Sequence, residues 1–249
     1  MILSTKHSVT VADVYCDEVV GNISADVVRY NYWSTPTPGA RHAPLNTILI
    51  DLARPASDLL NACKKDTRYE IRRAEKDGVS ARMVSAPNAE DLQSVCEAFN
   101  ESVAVKGLPE MKSGALEPLV SAGALRIGIA SAPDASPLAW HVYYRGGDRA
   151  ILLYSISSHR GASDPAFRQL VGRANRYLHW QDLLRLRESG CTALDLGGWY
   201  AGDDDTELLK INKFKEEFGG KVVEIYNSMM GISLKGKAAL KLLALKRML

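Results

Sequence analysis

Three apolar segments in close succession constrain the fold of this chain most. Their sequences are ALRIGIAS, PLAWHVYY and AILLYSIS, at residues 124–131, 137–144 and 150–157. Pro133–Asp134 separates the first two segments, and RGGD at residues 145–148 separates the last two. Short apolar segments bounded by turn residues are typical of strands, and connections this short join antiparallel neighbours. The sequence therefore predicts an antiparallel meander of three strands.

Helices are predicted before and after this meander. One runs from Ser57 or Asp58 to about Asp77, a second covers residues 88–107, and a long third ends near Gly190. The segments TALDLGG and KVVEIYNSMM are predicted strands, and an acidic loop with a short helix lies between them. This order predicts an α/β (α+β) fold with a mixed, largely antiparallel sheet flanked by helices.

Composition and charge leave several functional classes without support. The chain has 249 residues, of which 46% are hydrophobic, so it can bury a sizeable core. Its formal net charge of +2 does not demand a nucleic-acid partner. The four cysteines are far apart and form no C-x-x-C pair, so neither a zinc site nor a disulfide framework is indicated. We expect a cytoplasmic protein without a signal peptide, a membrane span, a metal or a tightly bound cofactor.

Three segments in chain order resemble the FemABX-like branch of the GNAT acyltransferase superfamily, the peptidoglycan bridge aminoacyltransferases. They are KKDTRYEIRRAEKDGV at 64–79, NRYLHWQDLLRLRESGCTALDLGG at 175–198 and FKEEFGG at 214–220. The resemblance covers roughly residues 45–228 and implies a GNAT-like fold. FemABX enzymes typically carry two GNAT-like domains in tandem, whereas this chain has room for one.

The predicted domain boundaries follow from this resemblance and from a loop rich in proline. Residues 1–45 are expected to form a strand-rich extension that ends in the loop STPTPGARHAPL. Residues 46–230 are expected to form the GNAT-like acyltransferase domain. Residues 231–249 are expected to form a basic amphipathic helix, because lysines alternate with leucines there. This helix could contact an anionic membrane or tRNA, or pack on the domain.

The resemblance implies an N-acyltransferase that moves an aminoacyl group from aminoacyl-tRNA to the amine of a cell-envelope precursor or small metabolite. It implies that Lys215 stabilises charge at the reacting ester, with Phe214 packed beside it; the alternative is a solvated surface lysine. Asp195 precedes a glycine turn and could accept the amine's proton or orient the amine. Alternatively, Asp195 caps the turn and pairs with an arginine.

Several other residues are candidates for substrate contacts. Arg68 and Arg72 are four residues apart on a predicted helix with Arg73 beside them, a stripe that suits phosphate groups or is simply solvated. Candidates for lining the cleft or the acceptor pocket are Tyr154, His141 and Trp199. For His141, a position in the core or the cleft wall is the alternative to a role as a base.

The segment QLVGRA leaves the identity of the donor open. Gln169, Gly172 and Ala174 fit the GNAT pattern for a loop that cradles the pyrophosphate of coenzyme A, which implies an acyl-CoA donor. However, Asp164–Pro165 is a good helix start, and a helix beginning there would enclose Gly172. Aminoacyl-tRNA is favoured and acyl-CoA is the alternative. A GNAT-like module that binds without catalysis is the third, and an open cleft between AILLYSIS and Lys215 would argue against it.

Overall fold

The computed structural model describes residues 1–6, 8–104, 107–112, 114–158 and 164–246. In chain order the elements are β1 (Ile2–Lys6), β2 (Val9–Tyr15), β3 (Val27–Trp33), β4 (Arg41–Asp51), α1 (Ala56–Ala62), α2 (Lys65–Lys76), β5 (Ser80–Val84), α3 (Ala89–Ala104), α4 (Glu117–Ser121), β6 (Leu125–Ser131), β7 (Pro137–Gly146), β8 (Arg149–Ser157), α5 (Pro165–Glu188), β9 (Ala193–Trp199), α6 (Thr206–Glu216), β10 (Lys221–Gly231) and α7 (Leu234–Lys246).

The chain forms two compact units. Unit 1 comprises Met1–Thr47 with Val222–Leu249, and unit 2 comprises Ile48–Lys221. The boundaries expected from the sequence, at 45/46 and 230/231, stay a prediction beside this division. The last residues of the predicted C-terminal helix, 247–249, lie outside the described residues.

Unit 1 is built on strands in the order β1-β2-β3-β10-β4, to which β4 contributes its first part. The β1–β2 and β3–β10 pairs are antiparallel, and the β2–β3 pair is parallel. Alternate residues of β2 and β3 form its core, which contains Ala12, Val14, Val28 and Tyr30. The leucines of α7 are spread around the helix, and Leu234 and Leu242 are 86% and 62% exposed, so α7 lacks the single apolar face expected of an amphipathic helix.

Unit 2 contains the predicted meander. Its strands lie in the order β4-β9-β8-β7-β6-β5, in which β5 to β8 are antiparallel neighbours and β8 and β9 are parallel. Successive side chains of a strand point to opposite faces. Accordingly, the Trp140 indole donates to Ser94 in α3, whereas the His141 ring contacts Asp182 in α5. The predicted fold, a mixed and largely antiparallel sheet flanked by helices, is confirmed.

Two expected elements differ from the structure. The helix predicted up to Asp77 is two helices, α1 and α2, because Cys63 and Lys64 are extended and the Lys64 backbone N–H donates to the Glu217 carbonyl. The segment predicted as a loop over residues 34–45 becomes strand β4 from Arg41 onward. In both cases the local pattern is overridden by pairing with a distant part of the chain.

Candidate active site

A cleft opens in unit 2 where two parallel strands separate. The pairing of β8 with β9 runs from Arg149 opposite Ala193 to Ile151 opposite Asp195 and ends there, although β8 continues to Ser157. Side chains of β8, α5 and α6 surround a cavity of about 380 Å³ beyond this point. Its lining residues are Leu152, Ser155, Ser157, Gly172, Asn175, Arg176, His179, Glu207, Lys210, Ile211, Phe214 and Lys215.

Helix α6 supplies Phe214 and Lys215 to this cleft. The helix begins after Asp205, whose carboxylate accepts hydrogen bonds from the backbone N–H groups of Glu207 and Leu208. Lys215 Nζ donates to the Gly198 carbonyl oxygen at 2.6 Å. Burial lowers the pKa of Lys215, and the Asp195 carboxylate opposes this shift. The predicted Lys215–Phe214 pair therefore lies in the wall of a cleft and not on a solvated helix face.

The structure gives Asp195 the alternative role. Its side chain is completely buried, forms an ion pair with Arg149 at 2.7 Å and accepts a hydrogen bond from the Gly197 backbone N–H at 2.8 Å. Gly197 has a φ of +76°, a conformation that glycine adopts without steric cost. Asp195 therefore holds the turn next to Lys215 and does not line the cleft, so its predicted role in accepting the amine's proton is corrected.

The predicted pyrophosphate loop is not formed. Helix α5 begins at Pro165, and the Asp164 carboxylate caps it by accepting from Ala166 and Phe167. Gln169, Gly172 and Ala174 all lie within α5, so their backbone N–H groups point along the helix. They cannot converge on a pyrophosphate as the N–H groups of a loop do. Gly172 lines the cleft from the side of the helix instead.

The three arginines predicted to contact phosphate do not line the cleft. Arg68 is half-buried and donates to the backbone carbonyls of Asn61 and Cys63, so it fastens the break between α1 and α2. Arg73 forms an ion pair with Asp77 at 2.9 Å. Arg72 is exposed and, within the described residues, has no ion pair. Arg72 alone of the three is free to meet a phosphate group at the surface of α2.

Tyr154 and Trp199 also lie outside the cleft. The Tyr154 ring makes an edge-to-face contact with Phe99 of α3, with ring centroids 5.2 Å apart. It therefore points to the opposite face of the sheet from Ser155, its neighbour in β8. The Trp199 indole donates to Glu216 at 3.1 Å. Neither side chain lines the cleft, so the structure does not bring these two predicted substrate-binding residues to it.

Helix α5 brings polar residues to the cleft that sequence reasoning missed. Gly172, Asn175, Arg176 and His179 occupy positions i, i+3, i+4 and i+7, the spacing of one helix face. Arg176 forms an ion pair with Glu217 at 2.9 Å and its guanidinium lies 5.0 Å from the centre of the Phe214 ring. The helical spacing of the polar residues among them is the signal in the sequence that identifies this face.

His141 lies beneath the cleft in a fully buried hydrogen-bonded network. Its Nδ1 is 2.8 Å from Asp182 Oδ2, and its Nε2 is 2.8 Å from Asn175 Oδ1. The Tyr143 hydroxyl donates to Asp182 Oδ2 at 3.0 Å. Burial raises the pKa of Asp182, and burial together with Asp182 raises the pKa of Tyr143. His141 is therefore a hydrogen-bonded histidine of the core, connected to the cleft by its bond to Asn175 and by its ring contact with His179.

His179 packs between this network and the phenylalanines of α6. Its ring centroid is 4.0 Å from that of His141 and 4.8 Å from that of Phe218. The side chain is 3% exposed, and neither ring nitrogen has a hydrogen-bond partner within the described residues. Burial and the nearby cationic side chains hold the pKa of His179 well below its usual range. The cleft therefore has a neutral imidazole in its wall.

Other places in the described chain offer less chemistry. A larger cavity of about 570 Å³ lies in unit 1, and none of the predicted site residues lines it. Among the residues that the structure describes, no group of His, Cys, Asp or Glu side chains could hold a metal ion. No helix within these residues has both the length and the apolar character needed to cross a bilayer.

The fold and the cleft define an acyltransferase of the GNAT type, and comparisons with known proteins agree. A family model described as the acetyltransferase (GNAT) domain matches residues 61–215, more than half of the chain. The chain therefore belongs to this family. A search of curated proteins finds no match.

Three solved structures illustrate the similarity in fold. FemX is 14% identical, with a TM-score of 0.63 over 82% of this chain and 72% of that chain. The C-terminal domain of a putative lysylphosphatidylglycerol synthetase from Agrobacterium fabrum is 15% identical, with a TM-score of 0.51 over 86% and 71%. L-PGS from Bacillus licheniformis is 14% identical, with a TM-score of 0.51 over 81% and 67%. The resemblance to the FemABX-like branch is thus confirmed for the fold.

Proposed function

We propose that this acyltransferase forms an amide bond by moving an aminoacyl group from aminoacyl-tRNA to the amine of a cell-envelope precursor or small metabolite. The observation that carries the proposal is the position of the Lys215 ammonium in the wall of an open cleft between separated strands. An open cleft next to AILLYSIS also argues against a module that binds without catalysis.

The chemistry of amide formation fits the groups in this cleft. The neutral amine attacks the ester carbonyl carbon, a C–N bond forms, and the carbonyl oxygen gains negative charge. The C–O bond to the carrier then breaks, and the proton lost by the amine leaves with the carrier oxygen. Lys215 Nζ has three N–H bonds and uses one on Gly198, so two can face the oxygen as it becomes charged.

Helix α5 supports aminoacyl-tRNA over acyl-CoA as the donor. The QLVGRA segment is helical, so the backbone cradle that the acyl-CoA alternative relied on is absent from this segment. The description of the family as an acetyltransferase domain keeps acyl-CoA as the second candidate. One relative in fold is named as a putative lysylphosphatidylglycerol synthetase, a name that denotes an aminoacyl product. We accordingly place the reaction in the cytoplasm.

The function is tested by following label from either donor into an amide. The full-length protein is incubated with a small-molecule and envelope-precursor extract and either tRNA charged with labelled amino acids or labelled acetyl-CoA. Mild alkali hydrolyses the aminoacyl ester and leaves an amide intact. We expect alkali-stable label from aminoacyl-tRNA. Alkali-stable label from acetyl-CoA alone would identify the acyl-CoA enzyme instead.

A matched pair of charge reversals tests the tRNA contact. Arg72→Glu changes an exposed arginine of α2, and Lys112→Glu makes the same kind of change at an exposed lysine between α3 and α4. Because phosphate contacts release counterions, tRNA binding should weaken with salt. We expect Arg72→Glu to weaken binding and to reduce its dependence on salt, and Lys112→Glu to leave both unchanged.

A peripheral contact with an anionic membrane through α7 is a separate part of the proposal. Because α7 has no single apolar face, the support is electrostatic: the helix carries lysines and has no acidic residue in its first turn, and Leu234 and Leu242 are exposed beside them. Sedimentation with phosphatidylglycerol vesicles should carry down the wild-type protein and less of Leu242→Asp. Equal sedimentation with phosphatidylcholine vesicles would contradict an electrostatic contact.

A further inference from the structure

A chain of hydrogen bonds runs from the buried core of unit 2 to the wall of the cleft. It passes from Asp182 to His141 at 2.8 Å and from His141 to Asn175 at 2.8 Å. Asn175 Nδ2 then donates to Ser157 Oγ at 3.2 Å. Asp182 and His141 are completely buried, whereas Asn175 and Ser157 line the cleft. A buried carboxyl group thus connects to a hydroxyl at the place where a substrate would bind.

The donors and acceptors among these groups give the chain of hydrogen bonds a direction. The Asn175 amide oxygen only accepts, so the bond between it and the His141 ring is donated by Nε2 of the ring. Asn175 therefore turns its amide nitrogen towards Ser157, and Ser157 Oγ accepts that bond with one of its two lone pairs. A serine hydroxyl has one proton, and Asn175 Nδ2 cannot accept it. The Ser157 O–H is left to donate to another group.

The residues around Asp182 hold this chain of hydrogen bonds in place. The Tyr143 hydroxyl donates to Asp182 Oδ2. Gly128 in β6 leaves the space that the carboxylate occupies, since a Cβ at Gly128 would lie 2.4 Å from Asp182 Oδ2. Burial raises the pKa of Asp182, which favours a proton shared with His141 over two separated charges. The direction of the chain is therefore built into the packing of β6, β7 and α5.

We propose that Ser157 donates a hydrogen bond to the carbonyl oxygen of the transferred acyl group, and that Asn175, His141 and Asp182 are positioning residues that fix its direction. This assignment rests on the proposed function and deepens it. Negative charge grows on that oxygen as the amine attacks, so a donor already aimed at it binds the transition state more tightly than the substrate. Ser157 on β8 and Lys215 on α6 would then act on the oxygen from two sides of the cleft.

Ser155 provides a matched control for Ser157. Both serines belong to β8, both line the cleft, and both point to the same face of the strand. Within the described residues, however, no side-chain hydrogen bond fixes the Ser155 hydroxyl. We expect Ser157→Ala to lower the initial rate of alkali-stable product formation by roughly 10²-fold. We expect Ser155→Ala to lower this rate less than Ser157→Ala does, because the Ser155 hydroxyl is not held by this chain of hydrogen bonds.

Asn175→Asp tests the direction of the chain with an isosteric change. An aspartate at this position accepts from His141, but it also accepts from the Ser157 hydroxyl and so takes the proton away from the cleft. The single variant should lose as much rate as Ser157→Ala. The double variant should lose no more than either single one, because both remove the same hydrogen bond. If Asn175 were merely structural, the two losses would multiply.

The outcomes separate this assignment from the proposed function. Equal rates for the wild type, Ser157→Ala and Ser155→Ala would overturn the role of Ser157 and leave the transferase in place. A double variant whose loss of rate equals the product of the two single losses would overturn the positioning role of Asn175. A thioester carbonyl would need the same donor, so transfer from acetyl-CoA would be tested with the same variants. A wild-type protein inactive with both donors would overturn the proposed function and this assignment together.

Discussion

The two helices that line the cleft, α6 and α5, present their polar residues in different settings. Helix α6 is mostly exposed, and Lys215 lies in it beside Phe214, an unusual neighbour on a charged helix. Helix α5 spans 24 residues and buries Val171, Ala174 and Leu178, so His179 and Asn175 lie next to core positions. An unusual residue on an exposed helix is easy to recognise in the sequence. A polar residue on a core helix is easily mistaken for one that serves packing.

The largest effect is expected from a substitution in α6, the helix that carries the predicted residue Lys215. Lys215→Met keeps most of the apolar stem and removes the charge. If the ammonium stabilises the charged carbonyl oxygen, the rate of amide formation should fall by about 10²- to 10³-fold. Lys213→Met on the same helix is the control, because Lys213 is exposed and does not line the cleft. Equal losses in the two variants would remove the distinction between the cleft and the solvated face of α6.

Gly128→Ala tests whether the buried network of α5 is as tightly packed as its geometry indicates. The added methyl group would meet the Asp182 carboxylate at 2.4 Å, so Asp182 must move. Overpacking of this kind should lower the free energy of unfolding by about 1–3 kcal/mol in urea denaturation. Gly198→Ala is the control, because a Cβ at Gly198 has no neighbour within 4 Å. A stable Gly128→Ala protein would show that the Asp182 site adapts easily.

His179→Phe tests the neutral imidazole of α5 through the pH dependence of stability. The pKa of His179 is lowered by burial first and then by the charges of His141, Lys215 and Arg176, so the native state stays neutral where the unfolded chain binds a proton. The unfolded state then gains protons as the pH falls below about 6.5, and the free energy of unfolding decreases.

The phenylalanine variant should lose less stability than the wild type on acidification. Near pH 5 the difference should reach at most about 2 kcal/mol, since the native side chain contributes no proton uptake. His42→Phe, which replaces an exposed imidazole, is the control and should follow the wild type. Parallel curves for the wild type and His179→Phe would show that the native state also binds this proton.

Gly172→Ala is expected to have the smallest effect. It distinguishes a helical conformation of residues 169–174 from a loop. A Cβ there would have only the Arg176 guanidinium nearby, at 3.9 Å. Alanine in a helix interior is favoured over glycine by about 0.5–1 kcal/mol, so the variant should be slightly more stable. A destabilised variant that also binds coenzyme A less tightly would show that residues 169–174 act as a loop.

Much of the fold was predictable because it depends on local patterns. The meander follows from three apolar segments with short turns, and the start of α5 follows from Asp164–Pro165. The break between α1 and α2 was missed because the Lys64 N–H pairs with Glu217, about 150 residues away in the chain. No local pattern contains that contact.

The candidate site was predictable to a smaller extent. Lys215 and Phe214 were predicted through the resemblance to the FemABX-like branch, and both line the cleft. Asp195 was found but has a different role, because its partner Arg149 comes from another strand. The serines of β8 were missed because a strand with serines at alternate positions also fits an exposed face, and only the separation of β8 from β9 turns that face into a cleft.

The measurement that tests the central claim most directly is a pair of calorimetric titrations of the full-length protein, one with coenzyme A and one with a mixed aminoacyl-tRNA pool. We predict tRNA binding that weakens with salt and is reduced by Arg72→Glu, together with no coenzyme A binding at micromolar concentration. Micromolar binding of coenzyme A that is lost on substitution of Gly172, without binding of tRNA, would contradict the account.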